Sequence, residues 1–203
     1  AEVANEIIKN RTSDDPEDKR PVAVLLMAKS DHNDAFMKYC RGNLEDLVKR
    51  YRVIYYEVDS SEAFTRKFVE ASSLSPAMVI VGAHGNPKAM LMGNPSPIRK
   101  ILMGRKSYFG ISDAKLLSPA AAALAGAYLL LDSCSTAEGG ESARNLANAF
   151  ADALPQTTIQ AMAKSGGVFR QRYDEESGLV DPEISVRSYL INRSQGRYEE
   201  VLS

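Results

Sequence analysis

The chain has 203 residues, 44% of them hydrophobic, and sets 25 Lys plus Arg against 26 Asp plus Glu. A formal net charge of -1 at pH 7 and a pI near 6.2 leave no basic footprint for nucleic acid or an anionic membrane. The length suits one substantial core, and no apolar run reaches the roughly 20 residues that cross a bilayer.

The first 20 residues read as an N-terminal extension: a short helix over Val3 to Lys9, then the polar run "RTSDDPEDKR" with the charge and turn residues of an exposed linker. The domain proper is expected over residues 21–203. It opens with "VAVLLMA" (22–28), a short continuous apolar run of the kind found in a central parallel strand buried on both faces. The polar loop "KSDHND" follows, then a helical spacing of apolar residues from Phe36 to Tyr51. "RVIYYEV" (52–58) reads as the next strand, "SSEAFTRKFVEAS" (60–72) as a helix opened by a capping Ser, and "AMVIVGA" (77–83) as a third strand that ends at His84.

After His84 the pattern changes. "PKAMLMGNPSP" and "RKSYFGIS" read as short strands, an antiparallel hairpin rather than a crossover helix. A short helix over "SPAAAALA" (118–125), a fourth parallel strand "AYLLLD" (127–132), an amphipathic helix over 141–154 and a fifth strand "TTIQAMA" (157–163) come next. A hairpin around Glu175 to Gly178 and a strand "ISVRSYLI" close the chain. The whole is an α/β pattern: a doubly wound, mostly parallel sheet flanked by helices, with a hairpin after the His strand and a C-terminal hairpin region.

In such a sheet ligands bind beyond the carboxyl ends of the strands. One strand ends in "GAHG" and another in "DSCST", so neighbouring placement brings His84 and Cys134 to one sheet edge. Thiolate is the nucleophilic form of cysteine, and an imidazole beside it serves as general base and acid. Gly85, without a side chain, leaves its N–H open to a developing oxyanion, with the N–H of Cys134 as second donor. The loop "STAEGG" feeds a helix expected to start near Glu141, whose amino end would favour an anion at the cysteine. The two cysteines, Cys40 and Cys134, are too few for a disulfide framework, and no CxxC or Cys/His cluster points to a structural metal.

"VIVGAHG" followed fifty positions later by "LLLDSCSTAEGG" resembles the caspase-like cysteine peptidase superfamily, which includes caspases, metacaspases, clostripain-like peptidases and toxin self-processing domains. The segment "ISDAKLLSPAAAALAGAYLLLDSCSTA" looks like bacterial members. The resemblance spans about residues 21–165 and implies Cys134 as nucleophile, His84 as acid and base, and Gly85 in the oxyanion hole. It implies Asp132, two before the cysteine, as an anionic S1 residue that selects Arg or Lys by charge-assisted hydrogen bonds. Asp31 would be a further substrate-binding acid, with His32 and Asp34 as neighbours that leave the choice open, and Lys164 and Ser165 would wall the substrate groove. The caspase pentapeptide is absent, since Asp132-Ser133 precedes Cys134, which argues against an Asp-specific enzyme.

The expected function is therefore a cysteine endopeptidase cleaving peptide or protein substrates after Arg or Lys, with self-processing at Arg11, Lys19 or Arg20 in the leader. The residues establish no cofactor; calcium, used by several members of the superfamily, stays an open option although no ligand motif for it is present. The alternative is an inactive binding or scaffold domain on the same fold. A phosphate site at "AEGGES" lacks both GxxxxGK[ST] and GxGxxG. The chain begins without Met or a signal-like run, so it reads as a mature product, a trimmed chain or part of a longer one, and compartment and oligomeric state stay open.

Overall fold

A computed structural model describes residues 18–29, 44–93, 106–165 and 187–201. Among them, seven strands form one sheet in the order β10-β9-β8-β7-β3-β1-β2, and three form a small antiparallel sheet, β4-β5-β6. The large sheet takes β1 (Val22–Ala28), β2 (Arg52–Val58), β3 (Met78–Gly82), β7 (Tyr128–Asp132), β8 (Thr158–Met162), β9 (Ser188–Asn192) and β10 (Arg197–Val201). Strands β2, β1, β3, β7 and β8 are parallel neighbours, whereas β9 runs antiparallel to β8 and β10 antiparallel to β9. The small sheet takes β4 (His84–Asn86), β5 (Ala89–Leu91) and β6 (Tyr108–Gly110).

Burial follows position in the sheet. All five residues of β3 are buried, as its apolar run requires of a strand flanked on both sides and covered on both faces, whereas most of β2, at the edge, is half-buried. Alternation divides the sheet residues between two cores. Val79, Val81, Leu129, Leu131, Ile159 and Ala161 face α1 (Ser61–Ser72), a 3₁₀ helix (Ala114–Ala120) and α2 (Leu146–Ala153). Ala23, Leu25, Met78, Ile80 and Leu130 face the helical residues 44–50 through Leu44, Leu47 and Val48. Helices thus cover both faces of a mostly parallel sheet, as the alternation of elements in the sequence implies.

Local signals act as read. Ser60 caps α1, its hydroxyl accepting from the Ala63 N–H at 3.2 Å. Three expectations are corrected. The helix expected at 118–125 is a 3₁₀ helix four residues earlier: Ala114, Leu117 and Ala120 are buried at a spacing of three, which lines one face of a helix with three residues per turn. Pro119 has no N–H to give to an α-helical ladder. The helix expected from Glu141 starts at Leu146, because Asn145 takes the cap, accepting from the Asn148 N–H at 2.8 Å, and Gly139 and Gly140 hold positive φ. Finally, His84 does not end its strand into a loop but opens β4. Strand β10 had no expectation, since "RYEEV" is polar and exposed along an edge. The Val3 to Lys9 helix, residues 36–43 of the helix expected from Phe36, and the hairpin around Glu175 to Gly178 lie outside the described residues.

The small sheet hangs on an aromatic cluster. Phe109 of β6 is fully buried, with its ring centroid 4.8 Å from that of Phe64 on α1 and 5.5 Å from that of Phe150 on α2. Met90 of β5 and Met92 just after it are also fully buried. Strand β6 pairs β5, and β5 pairs β4 with Leu91 opposite His84, so the packing of Phe109 bears on where His84 sits. Phe109→Ala should lower the unfolding free energy by about 3–5 kcal/mol, read by urea denaturation of the variant against the wild-type chain.

Candidate active site

The site is built at the carboxyl ends of two neighbouring strands. Gly82 of β3 is the register partner of Asp132 of β7, so His84 and Cys134, each two residues further on, leave adjacent strands at the same height. The pairing extends past the strands: the Ala83 N–H donates to the Asp132 carbonyl at 3.3 Å, and the buried Ser133 hydroxyl donates to the Ala83 carbonyl at 2.6 Å. His84 and Cys134 are both half-buried, and Cys134 is in no disulfide.

Gly85 explains why the imidazole is followed by a glycine. A Cβ placed there would lie 2.9 Å from the Ser133 Cβ, 3.0 Å from the Cys134 carbonyl oxygen and 3.1 Å from the Thr136 Cγ2. The backbone after His84 therefore lies directly against the turn that carries Cys134, and the side-chain-free position is what permits the approach.

That turn is held from three sides. The Ser135 N–H donates to the Lys164 carbonyl at 3.2 Å and the Ala137 N–H to the Met162 carbonyl at 2.8 Å, tying it to the end of β8. Within it, the fully buried Thr136 hydroxyl donates to the Ser133 carbonyl at 3.2 Å. The amino end of α2 joins the two halves of the site: Leu146 N–H donates to the Pro87 carbonyl of the β4–β5 connection at 2.7 Å, and Ala147 N–H to the Thr136 carbonyl at 3.0 Å. This corrects the expected role of the helix end. Its first N–H groups bind the carbonyls of the His-bearing and Cys-bearing segments instead of facing an anion at the cysteine. The intervening loop is stitched by two buried amides, Asn145 Nδ2 donating to the Gly140 carbonyl at 3.0 Å and Asn148 Nδ2 to the Gly140 and Ala143 carbonyls at 3.0 and 2.9 Å.

Asp132 closes β7 and is buried, 6% exposed, on the face it shares with Leu130. Asp31 lies outside the described residues. Lys164 and Ser165, expected as walls of a substrate groove, border a cleft of about 420 Å³ that reaches Ser135, together with Glu138, Arg187 and Glu200. Its β9–β10 wall was not foreseen. Behind it the rings of Tyr189 and Tyr198 meet at a 45° tilt with centroids 5.2 Å apart, and burial, then Tyr189 and Glu141, push the Tyr198 phenol up to about 12, so it stays neutral. A second cavity, about 500 Å³, opens among Tyr128, Thr158 and Asn192 at the opposite end of β7 and β8, and holds none of the expected site residues. Among the described residues no group of three or more His, Cys, Asp and Glu side chains is placed to hold a metal ion, and no helix is long and apolar enough to cross a membrane.

No protein-family model matches the chain, and no curated protein matches it. The arrangement itself makes a prediction. Gly85→Ala must move either His84 or the 133–136 turn, and should cost about 1–3 kcal/mol of stability, read by thermal or urea melting. The same variant should slow alkylation of Cys134 relative to wild type, measured by intact mass.

Proposed function

We propose that the chain is a caspase-like cysteine endopeptidase in which Cys134 is the nucleophile, His84 the general base and acid, and Asp132 the residue that selects Arg or Lys before the scissile bond. The observation that carries this reading is the approach of the His84-Gly85 segment to the 133–136 turn at the ends of adjacent parallel strands. Packing alone has no use for an imidazole and a thiol that are both half-exposed at the rim where the buried strands β3 and β7 end. The strand order, with a small antiparallel sheet inserted directly after the His strand, also supports the caspase-like reading.

The chemistry follows from the groups. His84 takes the thiol proton as the Cys134 sulfur attacks the substrate carbonyl, and returns it to the leaving amine, leaving an acyl group on sulfur. Water then attacks the thioester, again with His84 as base, and the carboxylic acid leaves. The Gly85 N–H, with that of Cys134, is assigned to the oxyanion. Asp132, shielded from water, offers a carboxylate to a guanidinium or ammonium on the substrate.

Of the two described leader positions expected for self-cleavage, Lys19 and Arg20, Arg20 is the less available. Its guanidinium binds Asp18 Oδ2 at 2.7 Å and donates to the Val48 carbonyl, and hydrogen bonds from the Arg20 side chain and then its backbone hold the Asp18 carboxyl at about 2. Lys19 is exposed, and Arg11 lies outside the described residues.

Peptide hydrolysis with Arg, Lys, Asp and Leu before the scissile bond tests the reading, with and without calcium. Arg and Lys substrates should be cut and Asp and Leu spared. Cys134→Ala should abolish turnover, His84→Ala should lower it by roughly 10²–10⁴-fold, and Asp132→Asn should cut kcat/KM for Arg substrates by about 10–100-fold. Turnover that survives Cys134→Ala would refute the assignment.

A further inference from the structure

Ser135 stands directly after the proposed nucleophile in a backbone conformation that favours glycine. Its φ is 56°, and among the described residues the other positive φ values belong to Gly126, Gly139, Gly140, Gly196 and Ser75. Ser75 is exposed in the turn after α1, whereas Ser135 is buried beside Cys134. A side chain in the left-handed region is strained relative to glycine. The same loop uses glycine at 139 and 140, so a serine at 135 retains strain that glycine would relieve, which is the pattern of a side chain kept for function.

The Ser135 side chain lines the 420 Å³ cleft. Among the described residues its hydroxyl has one hydrogen-bond neighbour, the Ser165 hydroxyl at 3.4 Å, a separation long for a bond between hydroxyls that leaves it able to donate and accept. The cleft is polar: Arg187 pairs with Glu200 at 3.5 Å, while Glu138 and Lys164 make no ion pair with a described residue. It also lies across the sheet from Asp132. Asp132 shares the face of Leu130, whereas Tyr189 of the cleft is the register partner of Ala161, on the opposite face, and Glu200 the register partner of Tyr189. In the peptidase reading, a peptide with its scissile bond at Cys134 and its basic residue over Asp132 has this cleft, across the sheet, open to the residue that follows.

We propose that Ser135 is a specificity-determining residue whose hydroxyl, at the near wall of this cleft, hydrogen-bonds a polar side chain on the peptide residue that follows the scissile bond. The inference rests on the peptidase reading. It predicts a preference for Ser, Thr or Asn over Leu at that position, by about 3–10-fold in kcat/KM, the range one hydrogen bond supplies.

The test compares internally quenched peptides that differ only in Arg-Ser against Arg-Leu at the cut, with wild type, Ser135→Gly and Ser135→Ala. Both variants should lose the Arg-Ser preference, and Ser135→Gly should melt at the wild-type temperature or above it, since glycine relieves the strain. The fall in selectivity without a fall in stability is what a merely structural serine would not produce. A preference that persists in both variants, or one absent from wild type, overturns the assignment and leaves the peptidase reading intact. No turnover of either peptide by wild type removes that reading and the inference with it.

Discussion

The register of β3 against β7 is the constraint on which the site depends. Parallel pairing that sets Gly82 opposite Asp132 determines which residues emerge together from the sheet edge, and a slip of one residue would send His84 and Cys134 to different heights and opposite faces. Both faces are buried: Val79, Val81, Leu129 and Leu131 belong to one core and Met78, Ile80 and Leu130 to the other, so a one-residue slip would exchange side chains between two differently shaped cores. Beyond the strands the same alignment is continued by Ser133 to the Ala83 carbonyl and by the contact of Gly85 with the turn.

The rim is made rigid by groups that also satisfy buried backbone. The first N–H groups of α2 have no partners inside the helix, and here they bind Pro87 and Thr136, one from each half of the site. Asn145 and Asn148 do the same for carbonyls of the loop between cysteine and helix. An unsatisfied buried polar group costs roughly 1–3 kcal/mol, so several such groups paired only in one geometry make alternative placements of the turn expensive. The aromatic cluster of Phe64, Phe109 and Phe150 sets the small sheet from below, and through it the start of β4.

Much of this was legible in the sequence, for identifiable reasons. The continuous apolar runs at 22–28, 77–83 and 127–132 are too short for buried helices and fit strands covered on both faces, and the polar residues that end two of them point to the rim. What could not be read depends on contacts distant in sequence. "SPAAAALA" carries helix formers, but the buried spacing of Ala114, Leu117 and Ala120 makes the segment before it a 3₁₀ helix instead. The run from Glu141 has helical composition throughout, yet the Asn145 cap and two glycines with positive φ delay the start. Strand β10 has no apolar alternation because it lies at the edge, and with it went the cleft wall built from Tyr189, Arg187 and Glu200. The strain at Ser135 has no sequence signal at all, since serine is common in turns of every kind.

The most direct measurement is covalent trapping: the wild-type chain and His84→Ala are treated with an arginyl chloromethylketone, and the adduct is located by peptide mass spectrometry. The proposed peptidase predicts one adduct, on Cys134, formed by wild type and strongly slowed in His84→Ala. An adduct elsewhere, no adduct, or equal labelling of the two proteins would contradict the pairing of His84 with Cys134 as reacting groups.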